Sequence, residues 1–94
     1  MALSTFERPH RSADVVGRIY GSDAVVISPD QGLVRMFNPT ATRIWQLVDG
    51  SRSVEEIAVT LTSEFDVDLA QARQSVIRLL TELSEKQLIT WGDA

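Results

Sequence analysis

Between Phe37 and Asn38 the spacing of apolar residues changes, and that change limits the folds open to this chain. Before it, apolar residues come in short runs: VVGRIY from Val15, the unbroken AVVI at 24–27, and LVRMF at 33–37. After it they recur three and four residues apart. Side chains alternate along a strand and return to one helix face every 3.6 residues, so strands precede helices here. Gly21, Ser22 and Asp23 separate the first two runs, and SPDQG (28–32) separates the second from the third. Proline presets φ, aspartate bonds to nearby backbone and glycine accepts positive φ, so both breaks read as turns. Loops this short join antiparallel neighbours. The expectation is a three-stranded antiparallel meander, its middle strand covered on both faces.

The helical part divides at its caps. Asn38 suits an N-cap and Pro39 the first helical position, where the missing N–H bonds to nothing anyway. Ala41, Ile44, Trp45 and Val48 share one face, with Trp45 in the core and Gly50 placed as the C′ residue. Ser53 and Glu56 form a capping box for a second helix carrying Val54, Ile57, Ala58, Leu61 and Phe65. Asp68 caps a third, with Leu69, Ala72, Val76, Leu79, Leu80 and Leu83 as its stripe and an end near Lys86. Leu88, Ile89 and Trp91 are expected to pack back as a short wing or tail. Residues 1–14 show no period and contain Pro9; they read as a mobile arm, docked through Phe6. The expected fold is α+β and winged helix-turn-helix-like: a three-stranded antiparallel sheet followed by three helices, one domain over 15–91.

Ninety-four residues leave room for one core. Thirteen acidic against nine basic residues give a net charge of −4, which argues against strong nucleic-acid binding. A winged-helix nucleic-acid-binding regulator is the rival reading. Its recognition helix would carry Arg73, Arg78 and Lys86 against Glu82 and Glu85, too mixed in sign for that task. A structural subunit of a larger assembly is a third reading. Cysteine is absent, and His10, the sole histidine, lies in the arm without a visible partner, so neither a metal site nor a thiol nucleophile is expected. Glu55 with Glu56, and Asp66 with Asp68, are acids where helix starts favour them. No phosphate-binding loop or hydrolase motif occurs. No catalytic residue and no cofactor is expected. No apolar run approaches the roughly 18 residues of a membrane span, and no signal-peptide pattern opens the chain. The expectation is a soluble cytoplasmic protein, not a membrane one.

Two features concern binding surfaces. Leu33, Val34, Arg35, Met36 and Phe37 form the last strand of the meander and hence an edge. An apolar edge invites further pairing. Either another element covers it or it is a rail for an extended peptide. On the third helix, about 100° per residue centres the apolar stripe near Val76 and Leu83. Arg73, Ile77 and Leu80 line one margin. Ile77 is there either a lone exposed apolar residue or one wall of a groove.

The segments FNPTATRIWQLVDG (37–50), SVEEIA (53–58), EFDVD (64–68) and VIRLLTELSEKQLI (76–89) together resemble the PqqD-like family. That family includes the precursor-peptide recognition elements of pathways for ribosomally made, post-translationally modified peptides (RiPPs), among them pyrroloquinoline quinone and lasso peptides. The resemblance implies a non-catalytic chaperone that binds the leader segment of a precursor peptide. It would deliver that leader to a modifying enzyme such as a radical SAM enzyme or a leader peptidase. It also implies that the leader adds as a strand to the third strand and packs on the third helix. The corresponding peptide-binding residues are Leu33, Val34, Arg35, Met36, Phe37, Arg73, Val76, Ile77 and Leu80. LVRMF lacks the aromatic-rich strand associated with lasso-type members, so the resemblance is to the generic PqqD-like kind.

Overall fold

A computed structural model describes residues 7–92. The meander is present: β2 (Val16–Tyr20), β3 (Asp23–Ser28) and β4 (Leu33–Phe37) form an antiparallel sheet in that order. Gly21, at φ 66°, opens the two-residue β2–β3 turn, where its lack of a Cβ makes positive φ inexpensive. One 3₁₀ turn, Pro29–Gln31, links β3 to β4 and ends at Gly32. The sheet is followed by α1 (Pro39–Leu47), α2 (Val54–Glu64) and α3 (Leu69–Glu85).

The caps hold as read. Asn38 Oδ1 accepts from the Ala41 amide at 2.8 Å, Ser53 and Glu56 exchange both bonds of the capping box, and Asp68 accepts from Gln71. The end of α3 differs in kind from a glycine cap. Gln87 adopts φ 60°, its N–H reaches Ser84 O at 3.0 Å, and the Leu88 N–H reaches Leu83 O at 2.9 Å. This is a Schellman closure with glutamine at the left-handed position. Leu88 and Leu83, both wholly buried, supply the apolar contact that goes with it.

Four expectations are corrected. Residues 8–11, assigned to a mobile arm, form strand β1 (Arg8–Arg11), which pairs antiparallel with β5 (Ile89–Gly92). The remainder of that arm up to Phe6 lies outside the described residues. The Leu88–Trp91 tail is thus half of a two-stranded ribbon. Only Pro9 of β1 is buried, so no alternation betrays the strand. Second, Gly50 is not C′: α1 ends with Val48 as C-cap. Gly50, two residues after Val48, takes φ 85° and donates to Pro9 O at 3.0 Å, turning the chain onto β1. Third, His10 has a neighbour, since its Nε2 meets Thr90 Oγ1 across the ribbon. Fourth, β3 is covered on one face only. Ala24, Val26 and Ser28 are buried while Val25 and Ile27 remain half-exposed beside Val16, Val34 and Met36.

The core is the seam between sheet and helices. Trp45 is 1 % exposed, meets Phe37 edge-on at 5.9 Å between centroids and lies under the Arg11 guanidinium at 5.6 Å. A Cβ on Gly17 would sit 2.5 Å from Trp45 Nε1, so β2 passes the indole with only hydrogen to spare. Trp45→Ala is expected to cost about 3–5 kcal/mol and Gly17→Ala about 1–3 kcal/mol through overpacking. Urea denaturation measures both, and losses below about 0.5 kcal/mol, the ordinary surface value, would contradict this packing.

Candidate functional site

β4 is an edge strand, bonded to β3 alone among the described strands. Which of its peptide groups face outward follows from the tight turn. A two-residue hairpin closes on a hydrogen-bonded pair, here Tyr20 with Asp23. Bonding direction alternates along a strand, so Asp23, Val25 and Ile27 bond to β2. Ala24, Val26 and Ser28 then bond to their partners Phe37, Arg35 and Leu33. The N–H and C=O groups of Val34 and Met36 are left at the open edge. In agreement, the Met36 carbonyl accepts from Arg35 Nη1 at 2.9 Å. The same two residues carry the most exposed apolar side chains of β4, Val34 at 62 % and Met36 at 71 %.

Alongside that edge lies a groove of about 360 Å³ between β4, α1 and α3. Ala41, Ile44 and Leu79 give it an apolar floor, and Arg35, Arg78 and Glu82 give it polar walls. Arg35 crosses to α3 in a two-pronged pair with Glu82, Nε–Oε2 2.7 Å and Nη2–Oε1 3.1 Å. These hydrogen bonds hold the Glu82 carboxyl below the usual carboxylate range, and Lys86 acts in the same sense. Glu82 in turn raises Arg35. Arg78 is exposed and makes no ion pair among the described residues.

The expected strand residues take distinct places. Val34 and Met36 present both backbone and side chain, and Arg35 forms a wall. Leu33 is half-buried, and Phe37 is buried against Trp45. The expected margin of α3 lies away from the groove beside β4. Val76 and Leu80 are at 0 % exposure and have no surface to offer. Arg73 pairs with Glu55 of α2 at 2.7 Å. It lies nine residues from Glu82, about 180° around the helix, and Ile77 is one turn from Arg73. Neither lines the groove beside β4; Ser75, Arg78, Leu79 and Glu82 do. Both margins border one apolar stripe, so helix periodicity alone does not choose between them. The available signal was charge: Arg35 on the edge needed an acid, and Glu82 lies on the other margin.

No group of three or more His, Asp or Glu among the described residues could hold a metal ion, and none of their helices is long and apolar enough to cross a membrane.

Comparison with known proteins places this architecture. The profile described as "Coenzyme PQQ synthesis protein D (PqqD)" matches residues 23–89. The chain belongs to the PqqD family. A PqqA binding protein of Xanthomonas campestris pv. campestris is 37 % identical over 65 residues, covering 69 % of this chain and 68 % of that one. The PqqA binding protein of Xanthomonas euvesicatoria pv. vesicatoria matches at the same identity and coverage. Among solved structures, TbiB1 in complex with the TbiA(beta) leader peptide has a TM-score of 0.80 at 25 % identity, covering 90 % of this chain and 98 % of that one. The PqqD part of Methylobacterium extorquens PqqCD, a stand-alone RiPP recognition element, has a TM-score of 0.78 at 24 % identity, covering 95 % of both. PqqD-family proteins of this kind bind peptides and are not enzymes.

The Arg35–Glu82 pair makes a testable contribution. Its side chains keep 35 % and 34 % of their surface in water, which screens it, so Glu82→Gln should cost under about 1 kcal/mol near neutral pH. Glu82 titrates lower in the fold than unfolded. The contribution is therefore complete above the ordinary glutamate pKa of about 4.3 and is lost as pH falls through the lower folded value. Urea melts of both proteins should differ near neutrality and converge in acid. A gap that persists or widens in acid would contradict the pairing.

Proposed function

We propose that this protein holds the leader segment of a ribosomally made precursor peptide as an added strand on β4 and presents it to a modifying enzyme. The observation that carries the reading is the open edge at Val34 and Met36, whose peptide groups bond to no described strand, beside an apolar-floored groove. The PqqA binding and leader-peptide complexes of its relatives support the same class of ligand.

Strand addition satisfies backbone groups on both chains and is nearly blind to sequence. Each such bond contributes a net ~0.5–1.5 kcal/mol. Selectivity comes from side chains entering the groove, at roughly 25 cal/mol per Å² of apolar area buried. Arg78 adds a preference for an acid on the peptide. Ordering a flexible leader opposes these terms, giving affinities of about nanomolar to micromolar. The rest of the precursor stays free, and tethering raises its effective concentration at the enzyme. That enzyme is of the peptide-modifying class, a radical SAM enzyme or a leader peptidase. The cytoplasm, where the precursor is made, is the place of action.

The test is calorimetric titration of a synthetic leader peptide, its sequence taken from any short precursor-like reading frame found next to the gene. Val34→Pro removes an outward N–H, a change that edge strands tolerate, and should weaken binding at least about tenfold, or ~1.4 kcal/mol, with the fold retained in a thermal melt. Ile77→Asp, on the margin away from β4, should leave affinity unchanged. A folded Val34→Pro protein with wild-type affinity would rule out strand addition.

A further inference from the structure

The groove beside β4 does not end at the strand. A second hollow of about 320 Å³ lies where the end of α2, the 65–68 link and the first turns of α3 meet. Thr40 and Ser75 line both cavities, so the two adjoin across a pair of small hydroxyl side chains. Leu61 and Ala72, each 1 % exposed, form the floor of the second hollow. Phe65 and Val67 stand half-buried at its side. The Phe65 N–H bonds to Leu61 O at 2.8 Å and the Val67 N–H to Phe65 O at 2.9 Å, which fixes the link bearing both side chains. Asp66 and Gln71 edge the mouth and are exposed.

The direction of the chain connects this hollow to the strand edge. β4 stops at Phe37, and Asn38 and Pro39 turn the backbone into α1. An added strand that passes the C-terminal end of β4 runs out of pairing groups there and meets Thr40. Beyond Thr40 the walls are helix and turn, so recognition passes from backbone to side chain. The floor is apolar and Asp66 is the one charged residue among those lining the hollow, which disfavours an acidic occupant.

We infer that this hollow is a second specificity pocket of the peptide site, taking one apolar side chain of the peptide just beyond the stretch paired with β4. The inference rests on the strand-addition reading. It makes selection depend on two apolar positions at a fixed spacing, one beside Leu79 and one beside Phe65 and Val67. A single apolar position can be matched by many unrelated peptides; two at a set distance exclude most of them.

The probe is a displayed library of random linear peptides, long enough to span both cavities, selected on the whole chain. Enriched peptides should share two apolar positions at constant spacing. Replacing the second by alanine should weaken binding at least roughly tenfold, a readily measured change in affinity. Gln71→Trp, which crowds the mouth from an exposed position, should weaken the parent peptide to a similar degree. The two changes together should cost little more than either alone, as coupled partners do. Val67→Ala, a milder variant that keeps the fold testable, should shift selection toward a larger second side chain. Peptides that lose binding to Val34→Pro but bind Gln71→Trp and Val67→Ala like wild type would overturn the pocket and leave strand addition standing. The same result is expected if the hollow takes a side chain of the enzyme. Peptides sensitive to Gln71→Trp and indifferent to Val34→Pro would overturn both the continuity and the strand reading, as would a library with no enriched peptide.

Discussion

The structure depends on the contact between the Trp45 indole and the backbone of β2 at Gly17. A sheet and three helices in a chain of this size share one seam, and Trp45 fills it. Any side chain at position 17 would force the indole or the strand to shift, because its Cβ would lie 2.5 Å from the indole nitrogen. Phe37 meets the same ring edge-on and ends the edge strand at that point. The position of α1 fixed in this way brings Ala41 and Ile44 beside β4 as groove floor. The core and the candidate site are therefore two faces of one helix.

Polar ties then set the walls. Arg35 to Glu82, Arg43 to Glu64 and Arg73 to Glu55 each join two different elements. Gln31 Nε2 donates to Lys86 O at 2.7 Å, holding the β3–β4 link against the end of α3. Half-exposed pairs of this kind contribute little stability singly. Their effect is orientation: they fix how far α3 stands from the strand edge, and so the width of the groove between them.

Much of the fold was legible because local signals and global needs agree in it. The change of period at Phe37, the Asn38-Pro39 start, the Ser53–Glu56 box and the Asp68 cap each name a boundary by a local mechanism. Other features carry no local signal. RPHR at 8–11 buries only Pro9, so its pairing with residues 89–92 is set by partners some eighty positions away. Gln87 takes a conformation that sequence reserves for glycine, held by Leu83 and Leu88 from within the core. For the candidate site, the edge strand could be read from loop lengths, and Arg35 stood out within it. The margin of α3 that faces it could not be read from helix periodicity, because that depends on where α2 lies; only the charge of Glu82, opposite in sign to Arg35, pointed to it. Once Glu55 of α2 takes Arg73, the opposite flank with Arg78 and Glu82 is the one left beside β4.

The ribbon of β1 and β5 sets residue 8 opposite residue 92, and neither strand lines either cavity. Both ends of the described chain thus emerge side by side, clear of the candidate site. A domain with adjoining ends can be spliced into a loop of another protein, joined to one at either terminus, or reopened elsewhere after its ends are linked, with little change to its interior. For a protein of this kind, the same groove is compatible with life as a separate subunit or as a cassette inside a larger polypeptide.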